Sequence, residues 1–174
     1  ANEAKRVQKE YMQNHRLNIP TLLMADIIHG FRTIFPIPLA LGSTWDEAAV
    51  EKMAEISAKE AAVSGLHVTF SPMVDLVRDP RWGRGMESTG EDPLLNSRLA
   101  AAMVRGYQGE NLREDNWRVA ACVKHFAAYG GALAGRDYNT VDMSERQLRE
   151  MYLPGYKAGL DAGAKLVMTS FNTV

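Results

Sequence analysis

Polar side chains follow four successive apolar segments of the sequence, and their types indicate the chemistry they could perform. They are, in chain order, Asp26, Arg84, Lys124, His125 and Ser170. The aspartate offers hydrogen-bond acceptors, whereas the arginine, lysine and histidine offer donors. Such a mixture, without a reactive nucleophile among them, fits a polyhydroxylated ligand, and it also suits a phosphate or a carboxylate.

The apolar segments are predicted strands, comprising residues 22–25, 66–70, 119–123 and 165–169. Between them, helix-start signals recur: Thr44 with Glu47 and Ser144 with Gln147 have the spacing of capping boxes, and Asp92 precedes a proline. Pro154 predicts a kink or an early stop in the last helix. Strands that alternate with helices favour parallel βαβ units.

Two architectures fit this alternation: an open doubly wound sheet, or about half of an eight-stranded (β/α) barrel. In both, ligands bind beyond the carboxyl ends of the strands. The polar residues that follow the strands are therefore expected to converge on a common site.

Composition excludes several other classes of function. The chain has 174 residues, with 20 Lys plus Arg against 21 Asp plus Glu, so charge gives no argument for nucleic acid or an anionic membrane. The apolar stretch 33–45 is too short to span a bilayer, and no signal peptide opens the chain. Cys122 is expected to be a buried small residue, and none of the four histidines has a second His or Cys at metal-ligand spacing, so a zinc site is not expected.

A glycine-rich segment at residues 130–137 resembles a phosphate-binding P-loop only in part. Arg136 and Asp137 stand where that motif has lysine and a hydroxyl residue, and no helix pattern follows at once. Both ends of the chain look cut, because it starts inside a charged, helix-like run and stops just after a strand-like segment. We expect a piece of a larger protein.

Several motifs occur together in this order: Asp26-Ile27-Ile28-His29-Gly30, the segment Arg78-Asp79-Pro80-Arg81-Trp82-Gly83-Arg84 with Glu87-Ser88 and Gly90-Glu91-Asp92-Pro93, the run Lys124-His125-Phe126, and Gly135-Arg136-Asp137-Tyr138-Asn139. In order and spacing, and over essentially the whole chain, they strongly resemble glycoside hydrolase family 3, particularly its bacterial β-glucosidase branch. The resemblance implies a TIM-type barrel, incomplete here, that occupies residues 1–174 as a single partial domain. It also implies removal of β-linked sugars from a non-reducing end, without a metal or cofactor.

The family's sugar-binding positions match residues of this sequence one at a time. Asp26, Arg84, Lys124 and His125 match positions that bind hydroxyls of the terminal sugar, and Arg32 and Arg136 match supporting positions. Met168, Ser170 and Phe171 fall where the family lines the pocket wall. Arg78, Asp79 and Arg81 are expected to hold a long loop, residues 73–91, together by ion pairing. His29 is expected either to support the site from behind or to be a core residue. Trp82 is either a packing anchor or part of the pocket rim.

Two departures from the family pattern limit this interpretation. Lys124-His125-Phe126 continues as Ala127-Ala128-Tyr129-Gly130, without the loop of the family's N-acetylglucosaminidase branch, so that activity is disfavoured. The family's nucleophilic aspartate and its acid/base glutamate both fall beyond Val174, so we assign no catalytic residue here. The prediction is the sugar-binding half of a retaining, exo-acting β-glucosidase-like enzyme that is inactive as this chain alone.

Two alternatives stay open: a non-catalytic sugar-binding or structural relic of the fold, and an unrelated phosphate-binding barrel enzyme. The expected partners are a β-glucoside or oligosaccharide and the remaining barrel with a second domain, or further copies of the chain. Neither nucleic acid nor a membrane is expected as a partner. The resemblance suggests a periplasmic or extracellular location.

Overall fold

The fold is built on a parallel sheet whose strands lie side by side in chain order. The structure, a computed structural model, describes residues 2–174. The strands are β1 (Met24–Ala25), β2 (Val68–Thr69), β3 (Ala120–Phe126) and β4 (Leu166–Thr169), and each pairs with the next in parallel. All four fall within or overlap the predicted strands, and β3 extends three residues further than expected.

The strand order decides between the two architectures that the sequence allowed. A doubly wound sheet reverses its strand order at a switch point, whereas here the order is sequential throughout the described residues. Sequential parallel strands joined through helices form an arc of a (β/α) barrel. The prediction of an incomplete barrel is confirmed, and the doubly wound alternative was wrong.

Helices connect the strands and pack against one another outside the sheet. They are α1 (Asn2–Asn14), α2 (Pro38–Gly42), α3 (Glu47–Ser64), α4 (Pro93–Gln108), α5 (Glu145–Gln147) and α6 (Leu153–Asp161). A π-helical turn at Leu148–Tyr152 joins α5 to α6 just before Pro154, so the chain continues as a helix through the predicted kink. Among residues 2–174, no helix is long and apolar enough to cross a membrane.

The hydrophobic core lies where α3, α4 and α6 meet the sheet. Its fully buried residues include Val50, Leu99, Tyr107 and Val123. Cys122, on the same strand as Val123, is also buried, and burial raises the pKa of its thiol, as expected for a packing residue. Burying these apolar faces stabilises the arc and holds the strand ends in fixed positions.

Candidate functional site

The four residues predicted to bind sugar hydroxyls meet at the carboxyl end of the sheet. Asp26 directly follows β1, and Arg84 lies in the long loop after β2, immediately before a 3₁₀ turn at Gly85–Glu87. Lys124 and His125 lie inside β3 rather than at its end, because β3 continues to Phe126. The topology therefore brings together side chains that are up to about a hundred residues apart in sequence.

Lys124 is the centre of this cluster. Its side chain is only 2% exposed, and its Nζ lies 2.8 Å from Asp26 Oδ1 and 3.6 Å from Glu87 Oε2. The Asp26 side chain is 60% exposed, so that its carboxylate can reach solvent or a ligand while it holds the ammonium. A buried ammonium is tolerated only where acceptors surround it, which these two carboxylates provide.

Arg84 and Glu87 form a two-pronged ion pair beside the lysine. Arg84 donates through Nε and Nη2 to the two carboxylate oxygens of Glu87 at 2.7 and 2.9 Å, and its Nη1 lies 3.0 Å from His125 Nε2. Burial raises the pKa of Glu87, but the hydrogen bonds from Arg84 and the charge of Lys124 outweigh burial, and the net pKa is lowered. Glu87 is thereby held as a carboxylate.

Asp75 and Tyr156 complete the network on its buried side. Asp75 Oδ2 accepts hydrogen bonds from the backbone N–H of His125 at 3.0 Å and from its Nδ1 at 2.8 Å. The hydroxyl of Tyr156, from α6, lies 2.8 Å from Asp75 Oδ1. A continuous chain of contacts therefore runs from exposed Asp26 to the core.

Asp75 and Glu87 are part of the cluster but were not predicted as site residues. Glu87 was part of the loop after β2 but was given no role, and Asp75 lies in the apolar run Met73–Val77, directly after the second predicted strand. A single carboxylate within such a run is the signal that could have identified Asp75, since buried carboxylates need donors.

The other predicted site residues lie at different distances from this cluster. Met168 pairs in register with Lys124 on the neighbouring strand, and the Ser170 N–H donates to the carbonyl of Phe126 at 2.8 Å, so both line the β4 side. Arg32 instead lies against α3, where its Nη2 donates to Ser64 at 3.3 Å. Arg136 is exposed in the loop after β3. The structure does not bring these two arginines into the cluster.

The long loop after β2 is held together by its own polar groups. Arg81 donates to Asp79 at 2.6 to 2.9 Å, and these hydrogen bonds hold the pKa of Asp79 at about 2. Trp82 is 2% exposed and donates to Asp137 at 3.1 Å, which makes it a packing anchor rather than part of the rim. His29 contacts the carbonyl of Phe35 at 3.0 Å, outside the cluster.

Aromatic rings lead outward from His125 toward solvent. The ring of Tyr129 lies 5.2 Å from His125, edge to face, and 6.0 Å from Phe171. Tyr138 and Phe171 are each 65% exposed, and their centroids are 5.2 Å apart. Apolar ring surface therefore borders the polar cluster on one side.

This arrangement alternates acceptors and donors over a small region, which suits hydroxyl groups that both donate and accept. No group of three His, Cys, Asp or Glu side chains in the described range is placed to hold a metal ion. A separate cleft with a volume of about 1000 Å³ lies between α3, α4 and the segment before β3. Its arginines, Arg105 and Arg118, pair with Glu51 and Glu55 of α3. The cluster at the strand ends is therefore the candidate binding site.

Known proteins match this chain along its whole length. The family model described as "Glycosyl hydrolase family 3 N terminal domain" matches residues 1–174. A curated relative, "Periplasmic beta-glucosidase" of Salmonella typhimurium, is 46% identical over 172 residues, which are 99% of this chain and 22% of the relative. "Beta-xylosidase" of Formosa agariphila is 38% identical over 167 residues, or 89% of this chain and 23% of the relative.

Solved structures of β-glucosidases have the same fold. A mutant β-glucosidase from Listeria innocua in complex with laminaribiose superposes with a TM-score of 0.97 at 61% identity, over 99% of this chain and 24% of that chain. A β-glucosidase involved in saponin metabolism from intestinal bacteria superposes with a TM-score of 0.93 at 37% identity, over 98% of this chain and 23% of that chain. The chain spans about a quarter of the length of these proteins.

Proposed function

This chain belongs to glycosyl hydrolase family 3, and we propose that it forms the sugar-binding half of a retaining, exo-acting β-glucosidase. In this proposal residues 1–174 are one partial barrel domain, and the complete protein hydrolyses the O-glycosyl bond of non-reducing terminal β-D-glucosyl groups. The observation that carries the proposal is the joining of Asp26, Lys124, Arg84 and His125 into one connected cluster at the strand ends.

The cluster would act on the terminal sugar by replacing its own internal contacts with contacts to hydroxyls. Asp26 is exposed and would accept hydrogen bonds from the sugar, whereas Lys124 and Arg84 would donate to it. Glu87 keeps both cations in place while they bind. Hydrogen bonds to hydroxyls that strengthen as the ring approaches an oxocarbenium ion raise kcat as well as affinity.

The catalytic carboxyl groups are proposed to lie outside residues 1–174. A retaining glycosidase needs a nucleophilic carboxylate and a carboxylic acid that protonates the leaving group. Asp26 and Glu87 are the carboxyl groups in contact with Lys124, but a general acid needs a raised pKa, and the pKa of Glu87 is lowered. Asp26 is held by the ammonium of Lys124 and is proposed to bind hydroxyls.

The remaining parts of the proposal follow from the relatives and from the open edge of the sheet. Carbohydrate is the proposed substrate, and the periplasm or the cell exterior is the proposed location, in keeping with the relative named as periplasmic. Val167 on β4 and Phe171 just after it are 41% and 65% exposed. The remaining barrel strands and a second domain, or further copies of this chain, are proposed to cover them.

The test is hydrolysis of aryl glycosides by the complete polypeptide that contains this chain. We expect hydrolysis of an aryl β-glucoside, with lower kcat/KM for the aryl β-xyloside and none for the aryl phosphate. The 174 residues produced alone should hydrolyse none of them. Activity only on the phosphate, or none with the complete protein, would contradict the proposal.

A variant of the central lysine links this activity to the cluster. Lys124→Met keeps most of the buried stem and removes the ammonium, and it should cost about 1.5–3 kcal/mol in kcat/KM, the size of a hydrogen bond to a charged group. Lys157→Met is the matched control, because Lys157 is exposed on α6 and pairs with Asp161 of the same helix. Equal values of kcat/KM for the two variants would contradict the assignment of Lys124 to the binding site.

A further inference from the structure

Asp75 is the most deeply buried carboxylate of the site, and it contacts His125 twice. Its side chain has no exposed surface, and His125 is 2% exposed. The segment 72–74, which precedes Asp75, runs beside β3. The Val74 N–H donates to the Lys124 carbonyl at 2.9 Å, and the Lys124 N–H donates to the Pro72 carbonyl at 3.1 Å. Backbone pairing therefore fixes Asp75 directly beside His125.

The two nitrogens of His125 face partners of opposite type. Nδ1 lies 2.8 Å from Asp75 Oδ2, an acceptor that also receives the backbone N–H of His125. Nε2 lies 3.0 Å from Arg84 Nη1, and a guanidinium can only donate. The hydrogen-bond partners therefore assign the ring hydrogen to Nδ1 and leave the lone pair on Nε2.

We propose that Asp75 is a positioning residue that holds His125 in the Nδ1–H tautomer, so that Nε2 faces Arg84 as a hydrogen-bond acceptor. This inference rests on the proposed function for its effect on activity. It corrects the expectation that His125 offers a donor: Nε2 can only accept, so a sugar hydroxyl that replaces Arg84 at this nitrogen would donate to it. Lys124 and Arg84 are then the donors of the cluster, and His125 joins Asp26 as an acceptor.

Helix α6 holds the back of Asp75. The Tyr156 hydroxyl lies 2.8 Å from Asp75 Oδ1 and 2.5 Å from the carbonyl of His125, so it links the two residues from behind. Burial and the neighbouring Asp75 carboxylate raise the pKa of Tyr156, which keeps it a neutral hydroxyl. Gly155 allows this approach, since a Cβ there would lie 2.3 Å from Asn96 and 3.1 Å from Val74.

The first test reads the tautomer directly in the complete polypeptide. With ¹⁵N-labelled histidine, the NMR signals of His125 are identified by their loss in His125→Gln. We expect a protonated Nδ1 and an unprotonated Nε2 in the wild-type protein at neutral pH. The opposite tautomer, or a doubly protonated ring, would overturn the proposal. Because this measurement needs no activity, it stands even if the proposed function fails.

The second test separates the acceptor at position 75 from general stability. Asp75→Leu should lower kcat/KM on an aryl β-glucoside by about 10-fold to 100-fold, by analogy with metal-binding histidines that lose their orienting partner, and shift the His125 signals toward the other tautomer. Asp75→Asn still offers an amide oxygen to Nδ1–H and should keep the wild-type tautomer with a loss of less than about threefold.

Gln108→Leu controls for the loss of buried hydrogen bonds alone. Gln108 bonds Ala121, Gly163 and Lys165 at the other end of β3, so its removal should lower Tm without changing kcat/KM of the folded protein. A folded Asp75→Leu protein with the wild-type tautomer and the kinetics of Gln108→Leu would contradict the positioning role. If Asp75→Leu does not fold, Asp75→Asn decides: a changed tautomer in that variant overturns the proposal.

Discussion

Each cation of the site has a carboxylate partner. Lys124 and Arg84 face Asp26 and Glu87, and each cation contacts a carboxylate within 3 Å. Removing one partner leaves a largely buried charge without compensation, which costs more than the pair contributes. The cluster is therefore held in shape before a ligand arrives, and a sugar has only to displace contacts at its exposed edge.

The charge of Glu87 should make stability depend on pH in a defined direction. Its pKa is lower in the folded protein than the ordinary value of about 4.3, so the folded state binds fewer protons in this range. Its contribution is fully present above that ordinary value and is lost as pH falls through the folded pKa. We expect Glu87→Gln to lower Tm of the complete protein near pH 6, and the difference to shrink toward pH 3.

Glu145→Gln is the control for this measurement. Glu145 pairs with Arg149 on one exposed helix face, where an ion pair contributes little. Scanning calorimetry of the three proteins over this pH range should show a converging difference for Glu87→Gln and a negligible one for Glu145→Gln. A Tm difference for Glu87→Gln that stays constant across the range would show that its charge is not the cause.

Residues that follow strands were easier to predict from the sequence than residues that support them. Asp26, Lys124 and His125 could be placed together because parallel strands present their carboxyl ends at one edge of the sheet. Asp75 and Glu87 were given no role, because they bind other side chains of the protein and such a role requires no particular spacing in sequence. The lone carboxylate in an apolar run was the one signal for Asp75. The binding roles of the site residues stay predictions.

At the scale of elements, glycines set how closely the helices pack. Gly106 on α4 lies against α3, and a Cβ there would lie 2.3 Å from the Glu51 carbonyl oxygen and 2.6 Å from Ala54 Cβ. Backbone at that distance cannot be relieved by rotating a side chain. The contact holds α3 and α4 together under β2 and β3, the strands that carry the site.

Gly106→Ala should therefore destabilise the protein, although alanine is the better helix former by about 0.5–1 kcal/mol. Overpacking costs about 1–3 kcal/mol, which outweighs that gain, so we expect a lower Tm for the complete protein. Gly83→Ala is the control, since a Cβ there has open space around it and no positive φ. An equal or higher Tm for Gly106→Ala would contradict the close packing of α3 and α4.

The observed N-caps show which local sequence signals are enough to predict the start of a helix. Ser144 and Asp92 were predicted as N-caps, and each accepts a hydrogen bond from the backbone three residues on. Thr44 was wrong as the N-cap of α3, because its hydroxyl donates to the Leu41 carbonyl at 2.6 Å and so serves the end of α2. Asp46 caps α3 instead, accepting from Ala49 at 2.9 Å. Competing local partners, rather than propensity, decided this position.

For the whole molecule, strand order was the feature that periodicity could not decide. Alternating strands and helices predict parallel βαβ units, but adjacent and switched orders give the same pattern along the chain. Only the motifs shared with glycosyl hydrolase family 3 favoured the barrel in advance, and the sequential order confirms it. The parallel direction of all four strands places every carboxyl end at one face, which is why a single cluster forms there.

A crystal structure of the complete protein with glucose bound would test most directly whether this cluster is the sugar-binding site. We predict one glucose at the carboxyl ends of β1 to β4, with hydroxyls within about 3.2 Å of Asp26, Arg84, Lys124 and His125 Nε2, and with the contact between Lys124 and Asp26 opened or shared. A glucose that binds elsewhere, while these residues keep only their mutual contacts, would contradict the claim that this cluster is the sugar-binding site.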